Sequence, residues 1–310
     1  MVVVLLRVRF LPLLLLLFLH HSTTTTTTVL VSALSSHSVF IVRHGETNAN
    51  AAGILQGSLD VSRLTDKGRQ QARMVGQFIY NNDNSSRSRM PRRMDRVYVS
   101  PLTRARDTLM LLREQQQPAA AASNDDNHIR VVVPTDTTIH PDLREIDLYS
   151  WEYQTQTSLL MRYPTEFKAW KRGDPERMIV DGHQPLIELW QRAERVWREL
   201  LVVPVPNTQQ QQQHTNTLLV CHGTLGHALL STAFGLDAAT TFRKCPAMVF
   251  GNGALCEIVW DDTTVTTTTT NAPIADRWRW HHPNPTEFAD LRDQVVVQQQ
   301  ETTMSSSRWK

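Results

Sequence analysis

Twice in this chain a short run of apolar and β-branched residues ends in His-Gly and gives way to a helix-forming segment. Val39–Arg43 leads into His44-Gly45, and Thr217–Cys221 leads into His222-Gly223. A short apolar run of this kind reads as a strand buried on both faces, the strand type of parallel sheets covered by helices. The alternation continues elsewhere. Thr65 is placed to cap a helix through Ile79, with Ala72, Val75, Gly76 and Ile79 on one face. Arg96–Val99 reads as a second strand, and Ser100-Pro101 as the N-cap and first turn of a helix whose stripe is Leu102, Ala105, Leu109 and Leu112. Ile129–Val133 reads as a third strand. Helices are expected over Thr155–Trp170 and Gln184–Val202, the second with Leu186, Leu189, Trp190, Ala193, Val196, Trp197, Leu200 and Leu201 on one face. A helix over Thr224–Phe234 follows the second His-Gly corner. Met248–Phe250, Leu255–Trp260 and Arg277–His281 read as closing strands, with Trp278 and Trp280 on one face of the last. The pattern implies an α/β fold with a mostly parallel sheet covered on both faces. Ligands of such sheets bind beyond the carboxyl ends of the strands, where both His-Gly corners fall.

Composition narrows the function. A chain of 310 residues, 41% of them hydrophobic, buries a substantial core as one large domain or two small ones. A formal net charge of +2 gives no basic field of the kind a dedicated nucleic-acid binder carries. The cluster Arg87, Arg89, Arg92, Arg93 and Arg96 lacks interleaved aromatics and reads as a solvated loop before a strand. Cys221, Cys245 and Cys256 have no metal-ligand spacing and read as small buried thiols in strands. The pairs His20-His21 and His281-His282 point poorly at one metal and read as incidental.

Residues 1–37 read as a signal or targeting presequence. Arg7 and Arg9 precede an apolar run of about ten residues, close to signal dimensions and short for a membrane span. The rival, a membrane anchor joining Val2–Leu6 to this run, places both arginines inside the membrane. Thr23 to Ser38 contains no acidic residue, a composition similar to that of a transit peptide. Pro118–Asn127, Asn207–Thr217, Asp262–Ala272 and the tail are of low complexity and read as loops or disorder.

Four segments carry chemistry. Arg43-His44-Gly45-Glu46-Thr47 offers a histidine that is able to act as a nucleophile beside a bound phosphate, an arginine fork, and a glycine that lets backbone approach a ligand closely. Arg104, in the first turn of its helix, reaches an anion near that helix N-terminus. His222 is a hydrogen-bond donor to phosphate, and a cation where a dianion raises its pKa. Leu143-Arg144-Glu145-Ile146-Asp147 offers a carboxyl as proton donor to a leaving alkoxide, with Glu145 and Asp147 both candidates.

These motifs resemble those of the histidine phosphatase superfamily, which includes the cofactor-dependent phosphoglycerate mutases. The resemblance runs from Val39 to Trp260 and rests on Arg43-His44-Gly45, Leu64-Thr65-Asp66-Lys67-Gly68, Ser100-Pro101-Leu102-Thr103-Arg104-Ala105 and His222-Gly223, in order and spacing. It implies a three-layer α/β/α sandwich spanning 38–282, followed by a polar, disordered tail over 283–310. His44 is then the phosphorylated nucleophile, with Arg43, Arg104 and His222 on the phosphoryl group and Glu145 as acid/base. Asn50, Gln56, Gly57 and Gly223 are the substrate-lining positions, and neither cofactor nor metal is implied.

A closer resemblance, to the plant chloroplast 2-carboxy-D-arabinitol-1-phosphatase group, is carried by Leu143–Ser150, Phe167–Trp170 and Asp181–Trp190. It differs in the polar segment Trp151–Thr157 and in the glycine after His222. The expected partner is a small sugar phosphate, with no nucleic acid and no membrane anchor after processing. Delivery is expected by the secretory route, to the plastid in preference to an endomembrane or extracellular site. A mutase, a catalytically inactive phosphate-binding relative and a regulatory protein phosphatase are the rivals. The sequence leaves the oligomeric state open.

Overall fold

The computed structural model describes residues 36–80, 90–116, 131–201, 214–244, 250–260, 275 and 277–281, with backbone alone at 242–244 and 277–280. Among these, β1 (His37–Arg43) is buried almost end to end and lies in the middle of a six-stranded sheet. It pairs in parallel with β4 (Thr215–Cys221) and antiparallel with β5 (Leu255–Trp260). Beyond β4 come β2 (Arg96–Val99) and β3 (Thr138–Ile139), both parallel; beyond β5 comes β6 (Arg277–Trp280), antiparallel to β5. The order is β3-β2-β4-β1-β5-β6.

Because β1 and β4 alternate apolar residues to both faces, the sheet has a core on each side. On one side Phe40, Val42, Val97, Val99, Leu218 and Val220 meet α2 (Asp66–Tyr80) and α3 (Thr103–Arg113). On the other, Val39, Ile41, Leu219 and Ile258 meet α6 (Pro185–Leu201) and α7 (Gly223–Ala233). The Trp197 indole N–H at the centre of this second core is satisfied by the Leu229 carbonyl and the Thr232 hydroxyl, each at 3.0 Å. This is the three-layer α/β/α arrangement. All eight apolar positions expected on the buried stripe of α6 are buried. Short helices α1 (Asn48–Ala51), α4 (Gln156–Arg162), α5 (Pro164–Arg172) and α8 (Ala238–Lys244) complete the described α-helices, and single 3-10 turns lie at Pro141–Leu143 and Tyr149–Trp151.

Several expected elements differ. The third strand is Thr138–Ile139, not Ile129–Val133. Val132 pairs with 92–94, upstream of β2, and Pro134 ends that pairing because it has no N–H to offer. The helix expected over Thr155–Trp170 is two helices, interrupted at Tyr163 by Pro164. Helix α3 begins at Thr103, and Ser100 is not its cap. Its N-terminus is served by Asp60, whose carboxylate accepts from the Thr103 N–H and hydroxyl, each at 2.7 Å. The boundary expected after residue 37 falls one residue inside β1. Phe250 lies outside any strand, while Met248 and Val249 fall outside the described residues. Cys221 and Cys256 are buried, unpaired thiols on β4 and β5; Cys245 lies outside the described residues. Also outside them are 1–35, 117–130, 202–213, 261–274 and 282–310, and with them the presequence, most of the low-complexity segments and the tail. Among the described residues no helix is long and apolar enough to cross a membrane.

The glycine of the first corner serves the fold. A Cβ on Gly45 would lie 2.2 Å from the Gly68 carbonyl oxygen, and one on Gly68 would lie 1.9 Å from that of Glu46. Two bare backbones thus bring the start of α2 against the exit of β1, where Thr65 caps α2 by accepting from Gly68 N–H at 3.0 Å. Gly68→Ala forces that contact apart. Its cost is expected to reach the ~1–3 kcal/mol of core overpacking or more, read as a lowered urea midpoint at unchanged m-value.

Candidate active site

The β1–β4 register builds the site. Arg43 stands opposite Cys221, so the next residues, His44 and His222, leave adjacent strands side by side. His44 N–H donates to the Cys221 carbonyl at 3.0 Å, and the imidazole centroids are 5.1 Å apart. β2 lies against β4 with Val99 opposite Val220, which puts Ser100 at the same level and Arg104 just beyond. Arg43, His44, Arg104 and His222 therefore converge at the carboxyl ends of three neighbouring parallel strands.

The His44 tautomer is fixed by chemistry. Nδ1 lies 2.7 Å from the Gly45 carbonyl oxygen, which only accepts, so Nδ1 carries the proton and Nε2 keeps its lone pair. Burial, then the charges of Arg43 and Arg104, hold the His44 pKa well below the usual histidine value. His222 is depressed in the same way, by burial and then by Arg104, His44, Arg43 and Arg192. As the protein stands both rings are neutral, and the cationic form expected of His222 is not its resting form.

The arginines are seated by glycines. Arg104 is fully buried, and its two terminal nitrogens donate to the Leu59 and Gly57 carbonyls, each at 2.8 Å. Gly57 adopts φ +54°, and a Cβ there would strike the Glu152 carboxylate. Arg43 donates to the Phe250 carbonyl, and a Cβ on Gly223 would lie 3.0 Å from its guanidinium carbon. Gly57 and Gly223, expected to line the substrate, thus position the two arginines. Nε of Arg43, Nε of Arg104 and Nδ1 of His222 are buried without a hydrogen-bond partner among the described residues.

Asn50, in α1, and Gln56, on the loop that follows it, have their amide oxygens engaged. Asn50 Oδ1 accepts from Thr47 N–H at 3.1 Å and from Asn252 at 3.2 Å, and Gln56 Oε1 accepts from the Thr47 and Ser62 hydroxyls. Their amide NH2 groups are what each has left to offer.

Glu145 reaches the second corner. Its carboxylate accepts from Thr224 N–H at 3.1 Å and Leu225 N–H at 3.0 Å, in the first turn of α7, and from Ile146 N–H at 3.0 Å. Asp147, the competing candidate, is otherwise occupied by Arg144 at 2.8 Å and Arg192 at 3.4 Å. Burial alone raises its carboxyl pKa, but hydrogen bonds from Arg144 and Ser58 and the charges of Arg192 and Arg144 hold it below the usual value. That keeps Asp147 ionised and makes it a poor proton donor.

The segment carrying Glu145 is braced from behind. Tyr149 adopts φ 53°, stacks on His183 with centroids 4.0 Å apart, and donates to Glu188 at 2.6 Å. Ser150 bonds through N–H and hydroxyl to Asp181, which adopts φ 52°. Strained backbone of this kind clusters at functional sites.

Three residues of this network were not singled out from sequence. Arg192 is a buried arginine beside the apolar stripe of α6, and it donates to the Glu145 carbonyl at 2.8 Å. Its signal was a charge flanked by core positions. Asn252 sits between Gly251 and Gly253 and donates to the His44 carbonyl at 3.2 Å. Glu152 accepts from Ser58 and Leu148 N–H groups, and nothing local marks it. His281, read as incidental, is buried and bonded to Glu257 at 2.8 Å. Among the described residues no cluster of three His, Cys, Asp or Glu side chains is arranged to hold a metal.

Two His-Gly corners thus stand at adjacent strand ends, flanked by the buried Arg104 and the half-buried Arg43. A profile of the histidine phosphatase superfamily (branch 1) matches residues 39–273, and the chain belongs to that superfamily. The 2-carboxy-D-arabinitol-1-phosphatase of wheat, Triticum aestivum, is 31% identical over 198 residues, which cover 64% of this chain and 32% of that protein. The "Probable phosphoglycerate mutase GpmB" of Proteus mirabilis is 29% identical over 204 residues, covering 64% of this chain and 76% of that protein. The solved structure of a mycobacterial glucosyl-3-phosphoglycerate phosphatase complexed with VO3 shares the fold. It is 20% identical, with a TM-score of 0.53 over 79% of this chain and 97% of that one. The chain spans about a third of the length of the plant relatives it matches.

The depressed histidines make stability pH-dependent. Besides His44 and His222, burial lowers His37 and His227 to about 4, with Arg96 and His214 contributing at His37. The unfolded chain therefore binds more protons than the native one from about pH 6.5 downward. Stability is full above that value and is lost as pH falls toward the lowered native pKa values. The melting midpoint at pH 5 is expected below that at pH 7.5; a midpoint that holds or rises on acidification contradicts this.

Proposed function

We propose that this chain is a phosphomonoesterase acting through a phosphohistidine intermediate. One observation carries the reading. A neutral His44, with its Nε2 lone pair free, lies within a group of buried donors that have no acceptor among the described residues. Such a group calls for an anion, and a nucleophile set within it calls for a reacting one. The phosphoryl group lies between Arg43, Arg104 and His222, which stabilise the oxygens that carry charge in the transition state. His44 Nε2 attacks phosphorus in line, the P–O bond to the leaving group breaks, and Glu145 protonates the departing alkoxide. Water then attacks phosphorus, Glu145 takes a proton from it, and the P–N bond breaks to free inorganic phosphate and His44. The charge a metal would supply comes from the guanidinium groups.

The substrate is a small sugar phosphate, 2-carboxy-D-arabinitol 1-phosphate or a related inhibitor of Rubisco. The resemblance of Leu143–Ser150 and Asp181–Trp190 to the plant phosphatases, and the 31% identity to the wheat protein, support this. The relation to the mutase-named protein favours a second reading, in which phosphate returns to bound product instead of to water. Residues 1–37 act as a presequence for the secretory route, with the plastid as destination; the Arg7/Arg9 basic region and the leucine run support this.

The test is phosphate release by the chain, with EDTA present, from a panel holding 2-carboxyarabinitol 1-phosphate, xylulose 1,5-bisphosphate, fructose bisphosphates and 3-phosphoglycerate. Release is expected to survive chelation and to be fastest on a sugar phosphate. Phosphoglycerate interconversion without release makes the protein a mutase, and silence across the panel ends the enzyme reading. His44→Ala is expected to lower turnover by at least about 10³-fold. Arg104→Ala is expected to cost about 10²- to 10³-fold in kcat, as loss of a charge-stabilising donor does.

A further inference from the structure

Ser100 stands where its sequence suggests a helix cap, yet α3 starts at Thr103 and takes its capping from Asp60. The serine hydroxyl is spent elsewhere. Ser100 is completely buried, its N–H donates to the Val220 carbonyl at 3.0 Å, and this seats it beside the exit of β4. Its Oγ lies 2.7 Å from His222 Nε2 and accepts from Leu102 N–H at 3.2 Å.

A neutral His222 carries one proton, and two arrangements distribute the hydrogens. In the first, Leu102 N–H donates to Oγ, the serine O–H donates to Nε2, and the ring proton sits on Nδ1. In the second, Nε2–H donates to Oγ. The serine O–H then has no acceptor in a buried place, and Nδ1 turns a lone pair toward the site. Buried donors are satisfied as a rule, and a hydroxyl rotates to suit its neighbours. The first arrangement uses every donor but one, and that one is Nδ1–H, which is buried with no partner among the described residues.

We propose that Ser100 is a positioning residue that holds His222 as its Nδ1–H tautomer, so that the single imidazole proton is a donor to a phosphoryl oxygen. The inference rests on the phosphatase reading for the identity of that oxygen. The two histidines are thereby set in opposite senses. A carbonyl, which only accepts, frees the Nε2 lone pair of His44 for attack; a hydroxyl, which here donates, leaves His222 with a proton to offer. A charge-bearing partner is not needed for this, because the hydroxyl is polarised by the Leu102 N–H it accepts.

Long-range 1H–15N correlation spectra of the full chain labelled with 15N-histidine read the tautomer directly, with His222 assigned by difference from His222→Asn. The wild-type ring is expected to show a protonated Nδ1 and an unprotonated Nε2; the reverse overturns the proposal. Ser100→Ala is expected to shift His222 toward the Nε2–H form and to lower kcat about 10- to 100-fold, as loss of a hydrogen bond that orients a ligating histidine does. Ser100→Thr, which keeps the hydroxyl, is expected to restore both. Wild-type tautomer and rate in Ser100→Ala overturn the proposal. If that variant does not fold, the wild-type spectrum decides alone. An Nδ1–H ring in a protein that releases no phosphate sinks the phosphatase reading and leaves the tautomer assignment standing.

Discussion

The parallel pairing of β1 with β4 is the constraint on which the rest depends. A parallel ladder holds its two chains at one level, so whatever follows Arg43 must emerge beside whatever follows Cys221. The two histidines need no side-chain bond to find each other; the sheet delivers them. A slip of one residue would turn Phe40 and Leu218 to the wrong core and carry the histidines apart in the same movement. Site and core are thus specified by the same register, and neither forms properly without the other.

The second dependence is electrostatic. Arg104 and two imidazoles are buried beside a half-buried Arg43, and the protein does not resolve that crowding by pairing each cation with a carboxylate. It keeps the imidazoles neutral and tethers the guanidinium groups through backbone carbonyls of Leu59, Gly57 and Phe250. Carbonyl dipoles hold a guanidinium in place without cancelling its charge, so the field is retained for an incoming anion. Glu145, the carboxylate whose charge acts most on both guanidinium groups, is tied to the first turn of α7 instead. The glycines at 57 and 223 make this possible, since a side chain at 57 would strike the Glu152 carboxylate and one at 223 would crowd the Arg43 guanidinium.

Much of this was legible in the sequence, and the illegible part has a common cause. Unbroken apolar runs marked β1, β4 and β5, helical periodicity marked α2 and α6, and the clustering of His-Gly, arginine and carboxylate at strand ends marked the groups that the fold brings together. The errors were local signals overruled by distant partners. Ser100 looked like a cap because the sequence does not show Asp60 arriving from another loop. Gly45 looked like a ligand seat because Gly68, against which it packs, is far along the chain. Arg192 and Glu152 carry no local signature, because what they do is brace segments distant in sequence. The break at Pro164 was readable and was outweighed by the apolar content around it.

The placement of the low-complexity segments follows from the direction of the strands. The three internal ones attach after α3, α6 and β5, at Gln116 and Val131, Leu201 and His214, and Trp260 and Ala275, and the arginine-bearing segment before β2 attaches after α2, at Tyr80 and Met90. Helices α2, α3 and α6 return the chain to strand starts, and β5 runs opposite to β1, so all four attachments fall at the amino end of the parallel strands. His44, Arg104 and His222 lie at the other end. The segments of biased composition thus join the fold a strand's length away from the two histidines. The sheet acts as a firewall between a permissive pole and an exacting one.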